Sequence, residues 1–244
     1  VRIAVVGDLH LGRTARGLDR TPDVLAAWDA VLAEAAAAGC GALVQTGDVF
    51  DSSSPSPELT ALAVGMFRRA SEAFRTVALL VGNHDLRHGR DRTDALEPLR
   101  EARLPGVTCA TAATLVELGD GSGLLLLPYE SRSRRLWSTP EEQDGRIRGL
   151  LGLLPLRGRT ACVGHLDLPG ASPSTESESR GGGHAWPSGR GWADRVSLLI
   201  DGHYHAPQEV RLPGWRLPVH CVGTPVALDF GEAGQVKRWM YADL

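Results

Sequence analysis

The 244-residue sequence predicts an α/β fold, a mixed sandwich of two sheets with helices outside. Three observations predict it. The first third alternates short β-branched runs with long Ala- and Leu-rich stretches. The second half is richer in strands joined by short turns, and five strand-like runs end in Gly followed by Asp, Asn or His. The length suffices for a full core in one domain, 1–244, and no linker divides it.

"RIAVVG" (2–7) is a buried strand closed by Gly. "TPDVLAAWDAVLAEAAAAG" (21–39) predicts a helix with Thr21 as N-cap, Pro22 at the first helical position and Gly39 as its stop. "GALVQTG" (41–47) is a second strand, "SPELTALAVGMFRRASEA" (56–73) a second helix and "TVALLVG" (76–82) a third strand. Strand–helix–strand at this spacing requires right-handed crossovers and a largely parallel sheet. "TLVELGDGSGLLLLP" (114–128) is a hairpin around a Gly-rich turn, followed by a helix over 140–153 and the strand "TACVG" (160–164). "VSLLIDG" (196–202), "PQEVRL" (207–212), "RLPVHCVG" (216–223) and "QVKRWMY" (235–241) are further strands, several of them antiparallel. Between them, residues 167–195 are rich in Gly, Ser, Pro and Arg and predict a long loop.

Composition narrows the class. The chain is 43% hydrophobic and 23% charged, as soluble globular proteins are. Its net charge of -3 excludes a global pull toward polyanions, so nucleic-acid binding has to come from local patches or bound cations. Lys237 is the only lysine; the other basic residues are arginines, the better fork for phosphate oxygens. Cys40, Cys109, Cys162 and Cys221 are widely spaced without a CxxC pair, which suits small buried hydrophobes in a reduced compartment. No apolar run reaches membrane-spanning length, and Asp8 interrupts the first one too early for a signal peptide. A cytoplasmic protein without membrane contact is the expectation, and a homodimer is compatible with it.

The five clusters are "GDLH" (7–10), "GDVFD" (47–51), "GNHD" (82–85), "GH" (164–165) and "GHYH" (202–205). The carboxyl ends of parallel strands converge on one crevice, so these residues can meet there. Each Gly is expected to let the backbone turn tightly while the next side chain points inward. Asp8-x-His10 and His203-x-His205 are each expected to share one face of an extended segment. The convergent set is Asp8, His10, Asp48, Asn83, His84, Asp85, His165, His203 and His205. Imidazole with carboxylate suits manganese, iron or zinc, whereas magnesium and calcium prefer oxygen alone. There are too many ligands for one tetrahedral ion and enough for two. His88, His184 and His220, each without such a cluster, are taken as ordinary surface or loop residues.

D-x-H, G-D-x-x-D, G-N-H-D, G-H and G-H-x-H, in that order over residues 7–205, resemble the calcineurin-like metallophosphoesterase superfamily. The resemblance implies a four-layer α/β/β/α sandwich of two mixed sheets and a centre of two divalent metal ions, Mn(II) in the first place, with Fe or Zn as alternatives. It places Asp8, His10, Asp48 and His205 on one metal, and Asp48, Asn83, His165 and His203 on the other, with Asp48 bridging. His84 would be the catalytic histidine and Asp85 its orienting partner. "GDVFDSSSPSP" (47–57) and the G-T-P…F-x-E pattern in "CVGTPVALDFGEAGQVKRWM" (221–240) are similar to SbcD-type DNA repair nucleases. That narrower resemblance implies exo- or endonuclease action on DNA, single strands or ends, with a role in repair and recombination. The chain ends soon after the last core strand, so no capping domain and no segment for an SbcC-type ATPase partner are expected. The rivals are a small-molecule phosphodiesterase or phosphatase acting on a nucleotide or lipid-linked diphosphate, and a non-enzymatic scaffold. Substrate phosphates would meet arginines near the clusters, Arg13, Arg87 and Arg132 first, with Arg16, Arg90, Arg92, Arg134 and Arg135 beside them. Trp186 and Trp192 either stack on unpaired bases or pin their loop to the body.

Overall fold

The chain alternates strand and helix as far as residue 110 and then turns strand-rich. The computed structural model describes residues 1–86, 93–130, 139–153, 159–173 and 185–244. In order it runs β1 (Arg2–Val6), a two-strand ribbon of β2 (Thr14–Ala15) and β3 (Leu18–Asp19), α1 (Thr21–Ala37), β4 (Ala42–Gln45), α2 (Pro57–Ala73), β5 (Thr76–Leu80), α3 (Glu97–Glu101) and β6 (Val107–Ala110). It continues with β7 (Thr114–Glu117), β8 (Gly123–Leu127), α4 (Pro140–Leu153), β9 (Thr160–Gly164), β10 (Leu198–Asp201), β11 (Gln208–Val210), β12 (Val219–Cys221) and β13 (Met240–Asp243).

One sheet has the order β13-β1-β4-β5-β6 and the other β11-β12-β10-β9-β8-β7. Both are parallel in the middle and carry antiparallel strands at their edges: β13 against β1, β11 against β12, and β7 against β8. Strand faces alternate with period two, and the alternation sorts the core into layers. Ala4 and Val6 of β1, Leu43 of β4, and Val77 and Leu79 of β5 pack with Val24, Trp28 and Val31 of α1 and Met66, Phe67 and Ala70 of α2. On the opposite face Ile3, Val5, Val44, Ala78 and Leu80 meet Leu124, Leu126, Ala161, Val163 and Ile200 of the second sheet. The far side of that sheet, Leu125, Leu127, Cys162 and Leu199, packs with Ile147 and Leu151 of α4. The result is a four-layer α/β/β/α sandwich of two mixed sheets. Because β1, β4 and β5 are covered on both faces, their interiors, Ile3–Val6, Ala42–Val44 and Val77–Leu80, are unbroken apolar runs. Trp28 and Phe67, with ring centroids 5.1 Å apart, lock α1 to α2; cutting Phe67 to Ala would cost about 3–5 kcal/mol.

β1, β4 and β5 are neighbours running the same way, as are β9 and β10, so their carboxyl ends line up at one edge of each sheet. All five polar clusters begin there. Among the described residues no helix is long and apolar enough to cross a membrane.

The structure corrects several local expectations. Thr21 is the first residue of α1, not its cap: its N–H donates to Asp19 Oδ1 at 2.9 Å, and its hydroxyl accepts from Gly12 N at 3.2 Å. Ser56 does cap α2, accepting from Leu59 N. Residues 235–239 are not strand; the last strand starts at Met240. Lys237 in that stretch turns inward to a buried carboxylate, which breaks the alternation a strand needs. The short α3 and β6 carry too little periodic pattern to be seen in sequence.

Candidate metal centre

Gly opens each cluster for reasons of space more than of torsion. At Gly47 φ is +114°, the left-handed side that glycine alone adopts freely. Gly7, Gly82, Gly164 and Gly202 have no such angle, yet a Cβ at Gly7 would strike Gly223 O and one at Gly82 would strike Asp48 Oδ1. The cost of tight turning is carried by the functional residues instead: His10, Asp48 and His203 sit at φ +47°, +52° and +62°. Asp8-x-His10 and His203-x-His205 therefore do not lie on extended segments. They follow the strand ends in loops, and the left-handed residue aims the pair inward.

The donor atoms of Asp8, His10 and His205 lie within 4.8 Å of one another, as do those of His10, Asp48 and His84, and those of Asp8, Asp48 and His165. Asn83 Oδ1 is 2.9 Å from His165 Nε2 and 3.0 Å from His203 Nδ1. The structure thus brings together Asp8, His10, Asp48, Asn83, His84, His165, His203 and His205 from five strand ends of two sheets.

Partners outside the cluster fix most of the rings. His165 Nδ1–H donates to Thr46 O at 2.9 Å, and His205 Nδ1–H to Glu232 Oε1 at 2.6 Å. His10 Nδ1 lies 3.2 Å from Asp51 Oδ1. All three rings therefore turn Nε2 toward the centre, the tautomer a metal ligand needs. His203 is the reverse, with Nδ1 inward and Nε2 3.3 Å from Asp167 Oδ1. Glu232 is fully buried and also accepts from Lys237 Nζ at 2.6 Å and Leu228 N at 3.1 Å. Burial disfavours its charge, but His205 and Lys237 hold the carboxyl down at about 2. The chain's only lysine thus serves this carboxylate.

Three features show that this donor set fits divalent cations. His10 Nε2 and His205 Nε2 face each other at 3.1 Å, an arrangement of two lone pairs that a cation relieves. Asp8 Oδ2 is buried with no hydrogen-bond partner. Burial opposes charge on His165, yet Asp48 and Asp8 push its imidazole up to about 10. Burial also opposes charge on Asp48, yet His165, His84 and His10 hold its carboxyl well below the usual range.

His84 borders the cluster, its ring centroid 4.7 Å from that of His10 and its backbone N–H donating to Asp48 Oδ1 at 2.8 Å. Its brace is not Asp85. His84 Nδ1–H donates to the carbonyl of Asp51 at 2.9 Å. Asp85 is fully buried and accepts from Gly82 N at 2.9 Å, Phe50 N at 3.1 Å and Val49 N at 3.4 Å. Burial first, then the Asp48 charge, pushes its carboxyl up to about 8 against the pull of those amides. Asp85 ties the GDVFD loop to the GNHD loop and positions both Asp48 and His84 through the backbone. Its side chain lies too deep to reach the imidazole.

At the rim, Arg13 Nη1 is 3.4 Å from Asp51 Oδ1 and its Nη2 3.6 Å from Asp229 Oδ2, with a third of the side chain exposed. Arg87 and Arg132 lie outside the described residues, as do Arg90, Arg92, Arg134, Arg135, His88 and His184. His220 is a surface partner of Glu209, away from the centre. Trp186 and Trp192 are buried, their Nε1–H groups donating to Asp201 Oδ1 at 3.2 Å and Asp144 Oδ1 at 2.7 Å. Both stand edge-on to Trp215. They pin their segment to the second sheet and offer no face to a base. Sequence reasoning missed the supporting groups Glu232, Asp167, Asp51 and Asp201. Of these, Glu232 and Asp51 carried a signal, the F-x-E pattern and the last position of G-D-x-x-D, without a role attached to either.

A four-layer sandwich that gathers Asp, Asn and His at the ends of five strands defines a metal-dependent phosphoesterase. The calcineurin-like phosphoesterase family model matches residues 1–207, most of the chain, and the chain belongs to that family. A dimetal phosphatase from Danio rerio is similar in structure, with a TM-score of 0.59 over 91% of this chain and 87% of that one. The two are 12% identical, so the likeness is one of fold. No curated protein matches the sequence at a significant level.

Proposed function

We propose that the chain is a two-metal phosphodiesterase acting on nucleic acid, a DNA nuclease of the SbcD type. The observation that carries the reading is the 221–240 segment. Its F-x-E glutamate, Glu232, folds back to hold His205 at 2.6 Å, so the part of the sequence that resembles those nucleases serves the centre itself. Asp8, His10, Asp48 and His205 would hold one ion, and Asp48, Asn83, His165 and His203 the other, with Mn(II) as the working metal and Fe or Zn as substitutes. Two such ions supply charge neutralisation for the phosphoryl group and a water of lowered pKa. His84 keeps its Nδ1 proton on the Asp51 carbonyl, which leaves Nε2 to face substrate. Protonated there, it donates to the leaving oxygen. Arg13 at the rim would meet a phosphate, which positions a strand without reading its sequence. Free thiols at Cys40, Cys109, Cys162 and Cys221 support a reducing, cytoplasmic setting.

The test is manganese-dependent hydrolysis of a labelled single-stranded DNA, with bis(p-nitrophenyl) phosphate alongside and His84→Ala as control. Cleavage of both, lost in the variant, is the expected result. Cleavage of the small ester alone would move the substrate to nucleotides or lipid-linked diphosphates.

A further inference from the structure

With Trp186 and Trp192 buried, Phe230 is the most exposed aromatic side chain among the described residues. It is 67% exposed, in a three-residue turn (Phe230–Glu232) that is anchored at both ends. Glu232 at one end holds His205, and Asp229 just before the turn meets the Arg13 guanidinium. The same guanidinium meets Asp51, whose carbonyl braces His84. Phe230 thus follows directly on Asp229, which is linked through Arg13 and Asp51 to His84. A phenyl ring exposed to this degree on an anchored turn forgoes the burial that would stabilise it, and core packing gives no reason for it to be there.

Arg16, exposed on the turn between β2 and β3, sets its guanidinium 5.5 Å from the Phe230 ring centroid, within cation–π range. Arg16 and Gly17, at φ +48° and +84°, form the two-residue turn of the ribbon, and Leu18 beside them is 57% exposed. Arg20 ties the same ribbon to the segment before Phe230, donating through Nη2 to Ala227 O at 2.9 Å. The ribbon and the turn thus present one surface with an apolar face, a guanidinium against that face and a second guanidinium toward the metal centre.

We infer that Phe230 and Arg16 form a nucleobase subsite, the ring stacking on the base while Arg16 and Arg13 take flanking phosphate oxygens. Bases of any kind have a π-face, so the subsite selects for a nucleoside and not for a sequence. The inference rests on the phosphodiesterase reading above and adds the part of the substrate that reading leaves open.

Two esters with the same leaving group test it: thymidine 5′-(p-nitrophenyl phosphate) and methyl p-nitrophenyl phosphate, each with Mn(II). The wild type is expected to prefer the thymidine ester in kcat/KM, and Phe230→Ala to reduce that preference about tenfold. Phe230→Leu keeps the bulk without the π-face and should lose as much, while Phe230→Trp should retain the preference. Arg16→Ala should lose part of it. A general disturbance of the turn would lower both esters alike and leave the ratio unmoved, and an unmoved ratio in Phe230→Ala and Phe230→Leu overturns the subsite. If neither ester is hydrolysed by the wild type, it is the phosphodiesterase reading that fails. A labelled single-stranded oligonucleotide separates the sources of the base: a matching loss on it assigns the subsite to a strand, and a loss on the ester alone assigns it to a free nucleotide.

Discussion

The two sheets build their shares of the centre by different means. The first sheet supplies Asp8, His10, Asp48, Asn83 and His84, and its loops are held largely by backbone. Leu9 N and His10 N donate to Asp48 O, Leu11 N to Val49 O, and Asp85 gathers three amides from two loops. The second sheet supplies imidazoles alone, and each is aimed by a group from elsewhere in the chain: Thr46 O for His165, Asn83 and Asp167 for His203, Glu232 for His205. One side is placed by the course of the chain, the other by borrowed partners. Damage to the braces should therefore show differently on the two sides.

The largest effect is expected at His84, whose action is chemical. His84→Ala should cut kcat by about 10²–10⁴-fold with metal content unchanged, read by steady-state kinetics beside elemental analysis. On the second-sheet side, Glu232→Gln keeps an oxygen near His205 Nδ1 but removes the charge that orients the ring. Metal affinity at one of two sites should fall about 10–100-fold with the fold intact, read by Mn(II) titration calorimetry and circular dichroism. On the first-sheet side, Asp85→Asn puts an amide against three N–H donors. Here stability should drop, by about 1–3 kcal/mol in urea denaturation, and activity should fall with it. If Glu232→Gln and Asp85→Asn gave the same pattern, the contrast between the sheets would be wrong. The smallest effect belongs to Trp192→Phe, which removes one hydrogen bond to Asp144 Oδ1 for about 1 kcal/mol, with kcat/KM unchanged.

The same contrast explains what could be learned from sequence. A residue placed by its own backbone leaves a local mark, Gly-Asp or Gly-Asn-His-Asp after an apolar run, and the five marks fall where the structure has its five strand ends. The parallel middle of each sheet was legible for a related reason: strands covered on both faces are written as unbroken apolar stretches. A residue placed by a distant partner leaves none. Nothing in "GHYH" points to Glu232, 27 residues on. The orienting role that the resemblance implied for Asp85 is met in the structure by the Asp51 carbonyl, while the Asp85 side chain binds backbone amides. Trp186 and Trp192 show the same limit, since only the fold reveals that Asp201, Asp144 and Trp215 wait to receive them. Thr21 is not the cap because the helix already starts at the Arg20 carbonyl, which accepts from Val24 N, and the Thr21 hydroxyl accepts from Gly12 N instead.

The central claim is that the polar ends of two sheets form one site for two metal ions. Anomalous diffraction from crystals grown with Mn(II) tests it most directly. Two peaks are predicted, one among Asp8, His10, Asp48 and His205 and the other among Asp48, Asn83, His165 and His203, with Asp48 touching both. A single peak, or ions that leave His10 and His205 facing each other unbridged, would contradict it.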